Sequence, residues 1–133
     1  LWLGLGVAGL AVLLCCGGGA AGLVGLAVTG MQAQSEQARA VVGDYLGALK
    51  DKQYDRAYGL LCDAEQQRES PAEFEQRAST EPEITSYTVG RAERTQPVRV
   101  PVELVYAGGD RDSRRVTLAQ DTGNGRLEVC GIR

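Results

Sequence analysis

Histidine is absent from this 133-residue chain. Without an imidazole there is no Ser-His-Asp or Cys-His catalysis and no His-ligated metal. An excess of basic charge is also lacking: 14 Lys+Arg stand against 17 Asp+Glu, a net charge of -3. That balance leaves no basic footprint for nucleic acid. No Walker loop, paired CxxC or HExxH occurs, so no metal or other cofactor is expected. The most informative absence is local. The first 35 residues carry no charged side chain, Glu36 being the first charge and Arg39 the first positive one. The 44% hydrophobic content therefore averages two objects, an apolar segment and a polar domain of about one hundred residues. The polar part is long enough for one modest core.

Residues 1–30 are long enough to cross a hydrocarbon core, for which about 20 apolar residues suffice. The segment reads as an uncleaved single-pass transmembrane helix. A cleavable signal peptide, with Val28-Thr29-Gly30 as a weak processing site, is the second reading. Leu14 before Cys15, and Cys15 before Cys16, fit a lipoprotein signal poorly. Orientation normally follows Lys/Arg flanks. A basic cytoplasmic stretch upstream of Leu1 is expected, which places the polar domain outside the cytoplasm. Gly4-x-Gly6-x-x-Gly9 matches the dinucleotide fingerprint without its preceding strand or following acid, so glycine-rich composition explains it. Gly18-x-x-x-Gly22 fits a helix-packing motif and leaves membrane dimerisation open. Cys15 and Cys16 read as packing residues.

Residues 31–37 form a polar connector or a continuation of the membrane helix. Ala38, Val41, Val42, Tyr45, Leu46 and Leu49 then recur on one face of an amphipathic helix. Tyr54, Ala57, Tyr58, Leu61 and Cys62 mark a second helix, with Cys62 toward the core. Ser70-Pro71-Ala72-Glu73 is a complete helix start: a capping serine, proline at the first helical position and glutamate at the third. Phe74 and Ala78 supply that helix's buried stripe. Beyond Pro82 the period changes to two. Strands are expected over Ile84–Glu93, Val98–Tyr106, Arg114–Asp121 and Arg126–Ile132, with Pro97 and Pro101 suggesting an edge or a bulge. The fold class is α+β, three helices covering one face of a curved, four-stranded antiparallel meander.

Cys62 and Cys130 are 68 positions apart. Outside the cytoplasm a disulfide is the natural reading, stabilising by about 4 kcal/mol in the chain-entropy model. Two independent buried thiols are the alternative. Leu127 and Val129 alternate with Glu128 and Cys130, so Cys130 falls on the face opposite Val129. Either the strand's end is covered on both sides or a bulge switches its parity.

The helix Val41-Val42-Gly43-Asp44-Tyr45-Leu46-Gly47-Ala48-Leu49, the run Gln53 to Cys62, the capped Ser70-Pro71-Ala72-Glu73-Phe74 and the ending Leu127-Glu128-Val129-Cys130 together carry a resemblance. Residues 38–133 resemble the membrane-anchored, extracytoplasmic NTF2-like (cystatin-like) domains of unknown function found in actinobacteria. Arginine outnumbering lysine by 12 to 2 suits such a GC-rich source. The resemblance implies a cone, a bent sheet wrapped around helices, often with a pocket at its mouth. It implies no shared activity.

NTF2-like enzymes use a pocket acid with tyrosine partners, and Asp44, Tyr45, Tyr54, Tyr58, Tyr87 and Tyr106 supply those residue types. Asp44 lies among Val42, Gly43 and Tyr45, where a solvated carboxylate is equally consistent. Tyr45, Tyr54 and Tyr58 occupy helical core positions, where an aromatic body with a polar tip is the ordinary role. Asp121-Thr122-Gly123 matches the aspartic-protease triplet, but a single copy followed by Asn124-Gly125 reads as a hairpin turn. Asp110 and Asp112 lack the remaining ligands of a calcium loop, and with Arg111, Arg114 and Arg115 they read as a solvated hairpin tip. The leading expectation is a non-catalytic, membrane-tethered interaction module, with a protein partner or a second copy as its target. An acid/tyrosine ligand pocket and a structural or oligomerisation domain are the alternatives.

Overall fold

The computed structural model describes residues 33–133. The expected membrane segment, its two glycine motifs, Cys15 and Cys16 lie outside the described residues. Among the described residues no helix is long and apolar enough to cross a membrane. Residues Ser35–Arg133 form one compact unit.

Helix α1 covers residues 33–50, so residues 33–37 of the expected connector are helical. Its apolar stripe is buried at Ala38, Val42, Tyr45 and Leu46 and half-buried at Val41 and Leu49. Lys52 closes the helix in the left-handed region at φ 57°. There the Lys52 N–H donates to the Leu49 carbonyl and the Gln53 N–H to the Ala48 carbonyl, satisfying two terminal acceptors.

The expected second helix stops early, as α2 (Tyr54–Gly59), and an unanticipated helix, α3 (Asp63–Arg68), follows it. This corrects the count from three helices to four. The break falls where the sheet claims the backbone. Leu61 forms a parallel bridge with Val129, the Cys62 N–H donates to the Val129 carbonyl at 2.8 Å, and the Val129 N–H donates to the Leu60 carbonyl at 2.8 Å. Cys62 is therefore the extended N-cap of α3 rather than a helical core position. Helix α4 (Pro71–Thr80) begins on the expected capping box. Ser70 Oγ accepts from the Glu73 N–H at 3.3 Å, and the Ser70 N–H donates to Glu73 Oε2 at 2.8 Å.

Four antiparallel strands follow in the order β1-β2-β3-β4: Ile84–Val89, Val98–Tyr106, Arg111–Gln120 and Leu127–Ile132. β1 ends four residues earlier than the alternation suggests, leaving Glu93 in an isolated bridge with Arg99. β3 begins three residues earlier, because Arg111, Asp112 and Ser113 pair with Val105, Leu104 and Glu103. Val100, Val102, Leu104, Val116, Leu118, Leu127 and Val129 are buried at every second position, together with Val42, Leu46 and Phe74 from the helices. The core thus lies between the helices and one sheet face.

The register of β1 with β2 shifts between Ile84 and Ser86, and two further irregularities shape the sheet. β2 is an interior strand, so the edge expected from Pro101 is not where it sits. Its missing N–H faces the point where β1 stops, and its carbonyl still accepts from the Gly90 N–H at 2.8 Å. A Cβ at Gly90 would lie 2.9 Å from Pro101 Cγ and 3.0 Å from its carbonyl oxygen, so this close approach requires glycine. In β4 the register with β3 shifts between Val129, opposite Leu118, and Gly131, opposite Thr117. Cys130 is the unpaired residue of that bulge, and Gly131 after it has φ 146°. The bulge restores Ile132 to the core side, opposite the buried Val116. It also resolves the parity of Cys130, which is disulfide-bonded to Cys62 with the Cα atoms 5.3 Å apart.

Candidate functional site

The six residues named as a pocket do not form one constellation. Asp44 projects from the exposed side of α1 and faces Arg56 of α2 at 3.6 Å, with its side chain 59% exposed. Among the described residues no hydrogen bond joins it to a tyrosine, so it is a solvated carboxylate. The tyrosines are distributed through the packing. Tyr45 is buried on α1, and burial, helped by the carboxylates of Glu81, Glu69 and Glu65, pushes its phenol up to about 12 against the opposing effect of Arg77. At neutral pH it holds its proton firmly and does not act as an acid. Tyr58 stands edge-on to Phe74 with ring centroids 5.7 Å apart. Its hydroxyl lies 2.8 Å from the Glu69 carbonyl and 3.0 Å from the Gln66 carbonyl, and it donates at the end of α3. Tyr87 spans from β1 to α1, donating to the Gly43 carbonyl at 3.1 Å. Tyr54 and Tyr106 are half-buried against the rim of the core.

The strongest polar cluster was not legible from spacing. Arg77 of α4 engages Glu69 through Nε and one terminal nitrogen, at 2.8 and 3.0 Å, and Glu81 through the other at 2.8 Å. Its guanidinium carbon lies 5.3 Å from the Phe74 ring centre. The two acids raise the arginine, and its hydrogen bond holds Glu69 below the usual carboxylate range. All of the guanidinium's edges are therefore spoken for within the fold, and the arrangement braces α4 against the end of α3. The helical spacing of Arg77 and Glu81 hints at one of these pairs, whereas Glu69 depends on the turn between α3 and α4.

The expected hairpin tip divides. Asp112 and Arg114 lie within β3 on the face that carries Val116 and Leu118, and Arg114 Nε contacts Asp112 Oδ2 at 2.7 Å. That hydrogen bond raises Arg114. Arg115 points to the other face and reaches Glu93 at 3.0 Å. Asp121 is a turn residue, its Oδ1 accepting from the Gly123 N–H at 2.6 Å and the Asn124 N–H at 3.2 Å. The hairpin reading of Asp121-Thr122-Gly123 is the correct one.

No group of three or more potential metal ligands occurs among the described residues. The concave surface is modest. A shallow depression of about 330 Å³ lies between the α1–α2 corner, the end of α4 and the start of β1, with Leu49, Lys52, Tyr54, Ala78, Pro82 and Ile84 among its walls. It is open and holds no buried carboxylate. Its charges, Lys52, Glu81 and Glu83, are all exposed, so chemically it offers apolar contact with surface ion pairs rather than a buried acid and base. Comparison with protein families, with curated proteins and with solved structures finds no match for this chain.

Proposed function

We propose that this chain is a non-catalytic, membrane-tethered interaction module. In this reading residues 1–30 anchor it and residues 38–133 stand outside the cytoplasm as an NTF2-like domain of actinobacterial type. The observation that carries the non-catalytic part is the composition of the interior. Among the described residues no charged or amide side chain is buried, and the space between helices and sheet is filled by Val, Leu, Ala, Phe and Tyr. Catalysis of the acid/tyrosine kind needs a carboxyl group whose surroundings perturb it, and Asp44 sits in solvent against Arg56. The Cys62–Cys130 bridge supports an oxidising compartment, and the charge-free first 35 residues support the tether. The order of four helices before a four-stranded meander is compatible with the NTF2-like reading.

The test is purification of the full chain from the membranes of an actinobacterial host, followed by native mass spectrometry and a non-reducing peptide map. The expected result is extraction only with detergent, a linked Cys62–Cys130 peptide and no stoichiometric small molecule. Recovery from the soluble fraction would remove the tether. A small molecule bound one-to-one would replace the interaction module with a ligand receptor.

A further inference from the structure

The two edges of the sheet are treated differently. At β4 the edge is closed by the Leu60–Cys62 segment, which bonds to Val129 on both sides, by the disulfide and by the bulge at Cys130. At β1 neither a crosslink nor an added segment is found among the described residues, and the register with β2 shifts only at its start, between Ile84 and Ser86. Ile84-Thr85-Ser86-Tyr87-Thr88-Val89 contains no charge, proline or glycine, and its β-branched and aromatic residues favour extension. Because the Gly90 N–H is aimed at Pro101 in β2, strand alternation aims the main-chain groups of Thr88 at β2 as well, and those of Tyr87 and Val89 away from it. The Arg39 guanidinium stands 3.5 Å from the Val89 carbonyl. Among the described residues the outward N–H of Val89 and both groups of Tyr87 have no main-chain partner.

We propose that β1 pairs with β1 of a second copy of this chain, antiparallel, joining two four-stranded sheets into one of eight strands. The flanks of the strand select that occupant. Glu81 and Glu83 precede β1, and Arg91 and Arg94 follow it. The two arginines form no ion pair among the described residues, whereas Glu81 already binds Arg77 and Glu83 stands 3.8 Å from Lys52. In an antiparallel pair centred on Tyr87, Tyr87 faces its counterpart, and beyond the register shift between Ile84 and Ser86 the acidic flank of each copy, Glu81 and Glu83, runs beside the basic flank of the other, Arg91 and Arg94. Parallel pairing would set acid beside acid and arginine beside arginine. Since the strand itself is uncharged, no like charges meet at its centre. The contact is isologous and closes at two copies. It depends on neither the tether nor the absence of catalysis.

The experiment uses the full chain in detergent, with sedimentation to measure dimerisation and hydrogen exchange to follow the amides of residues 85–89. The expected result is a concentration-dependent dimer in which Tyr87 and Val89 are protected. Two like-charge contacts per dimer in Glu83→Arg or Arg91→Glu should weaken it roughly tenfold. The double variant Glu83→Arg/Arg91→Glu should restore it while each single variant remains folded by circular dichroism. A monomer overturns the proposal. So does a dimer held by residues 1–30, which would leave Tyr87 and Val89 exchanging freely and would not respond to either charge reversal.

Discussion

Tyr87 reaches from β1 to α1, where its hydroxyl donates to the Gly43 carbonyl. The bond is half-buried, so Tyr87→Phe should cost about 1 kcal/mol in urea unfolding, with the slope unchanged. Glu128 is a second informative residue because its charge is poorly placed. Partial burial, and then the nearby carboxylates of Asp121 and Asp63, raise it above the ordinary glutamate value. A carboxyl group raised in the folded state contributes fully at low pH and loses that contribution as pH rises through the folded value. Glu128→Gln should therefore raise the Tm at pH 7, and the gain should vanish below about pH 4, where the unfolded glutamate is protonated too. Thermal melts at the two pH values check the sign. The candidate pocket was legible only as residue types. Helical spacing placed Tyr45 and Tyr58 against the core, and they pack there; the solvated reading of Asp44 agrees with its exposure, while its Arg56 partner on the next helix is not located by spacing alone.

At the scale of elements, local chemistry fixed what local chemistry can. The capping serine, first-turn proline and glutamate at Ser70-Pro71-Ala72-Glu73 mark the start of α4 to the residue. Unbroken alternation sets both ends of β2. The break between α2 and α3 was hidden because Leu61 and Cys62 continue the helical spacing of Tyr54, Ala57 and Tyr58. Only the pairing of Leu60–Cys62 with a strand almost seventy residues later withdraws their backbone from the helix. The bulge at Cys130 was one of two ways to reconcile the alternation of β4, and register decided between them. The junction of β1 and β2 gives a sharp test. Gly90→Ala would press a methyl group against the Pro101 ring and carbonyl oxygen, and it should destabilise the fold by about 1–3 kcal/mol. Guanidinium unfolding would measure that loss, and a neutral substitution would show that the junction yields.

Across the whole molecule, the Cys62–Cys130 bridge joins the start of α3 to the last strand. Replacing both cysteines by serine removes a crosslink over 68 positions and should lower stability by about 4 kcal/mol in the chain-entropy model. For a domain of this size that is a large part of the total. A thermal melt of the double variant, which has no cysteine left to pair in the described unit, would read it directly. The bridge also makes residues 62–130 a covalent ring that contains α3, α4, three complete strands and most of the fourth. A protease cutting once at the Gly108–Gly109 hairpin would open that ring without releasing a fragment. The two pieces would separate only after a reductant had acted, so loss of the domain would require two distinct chemical insults.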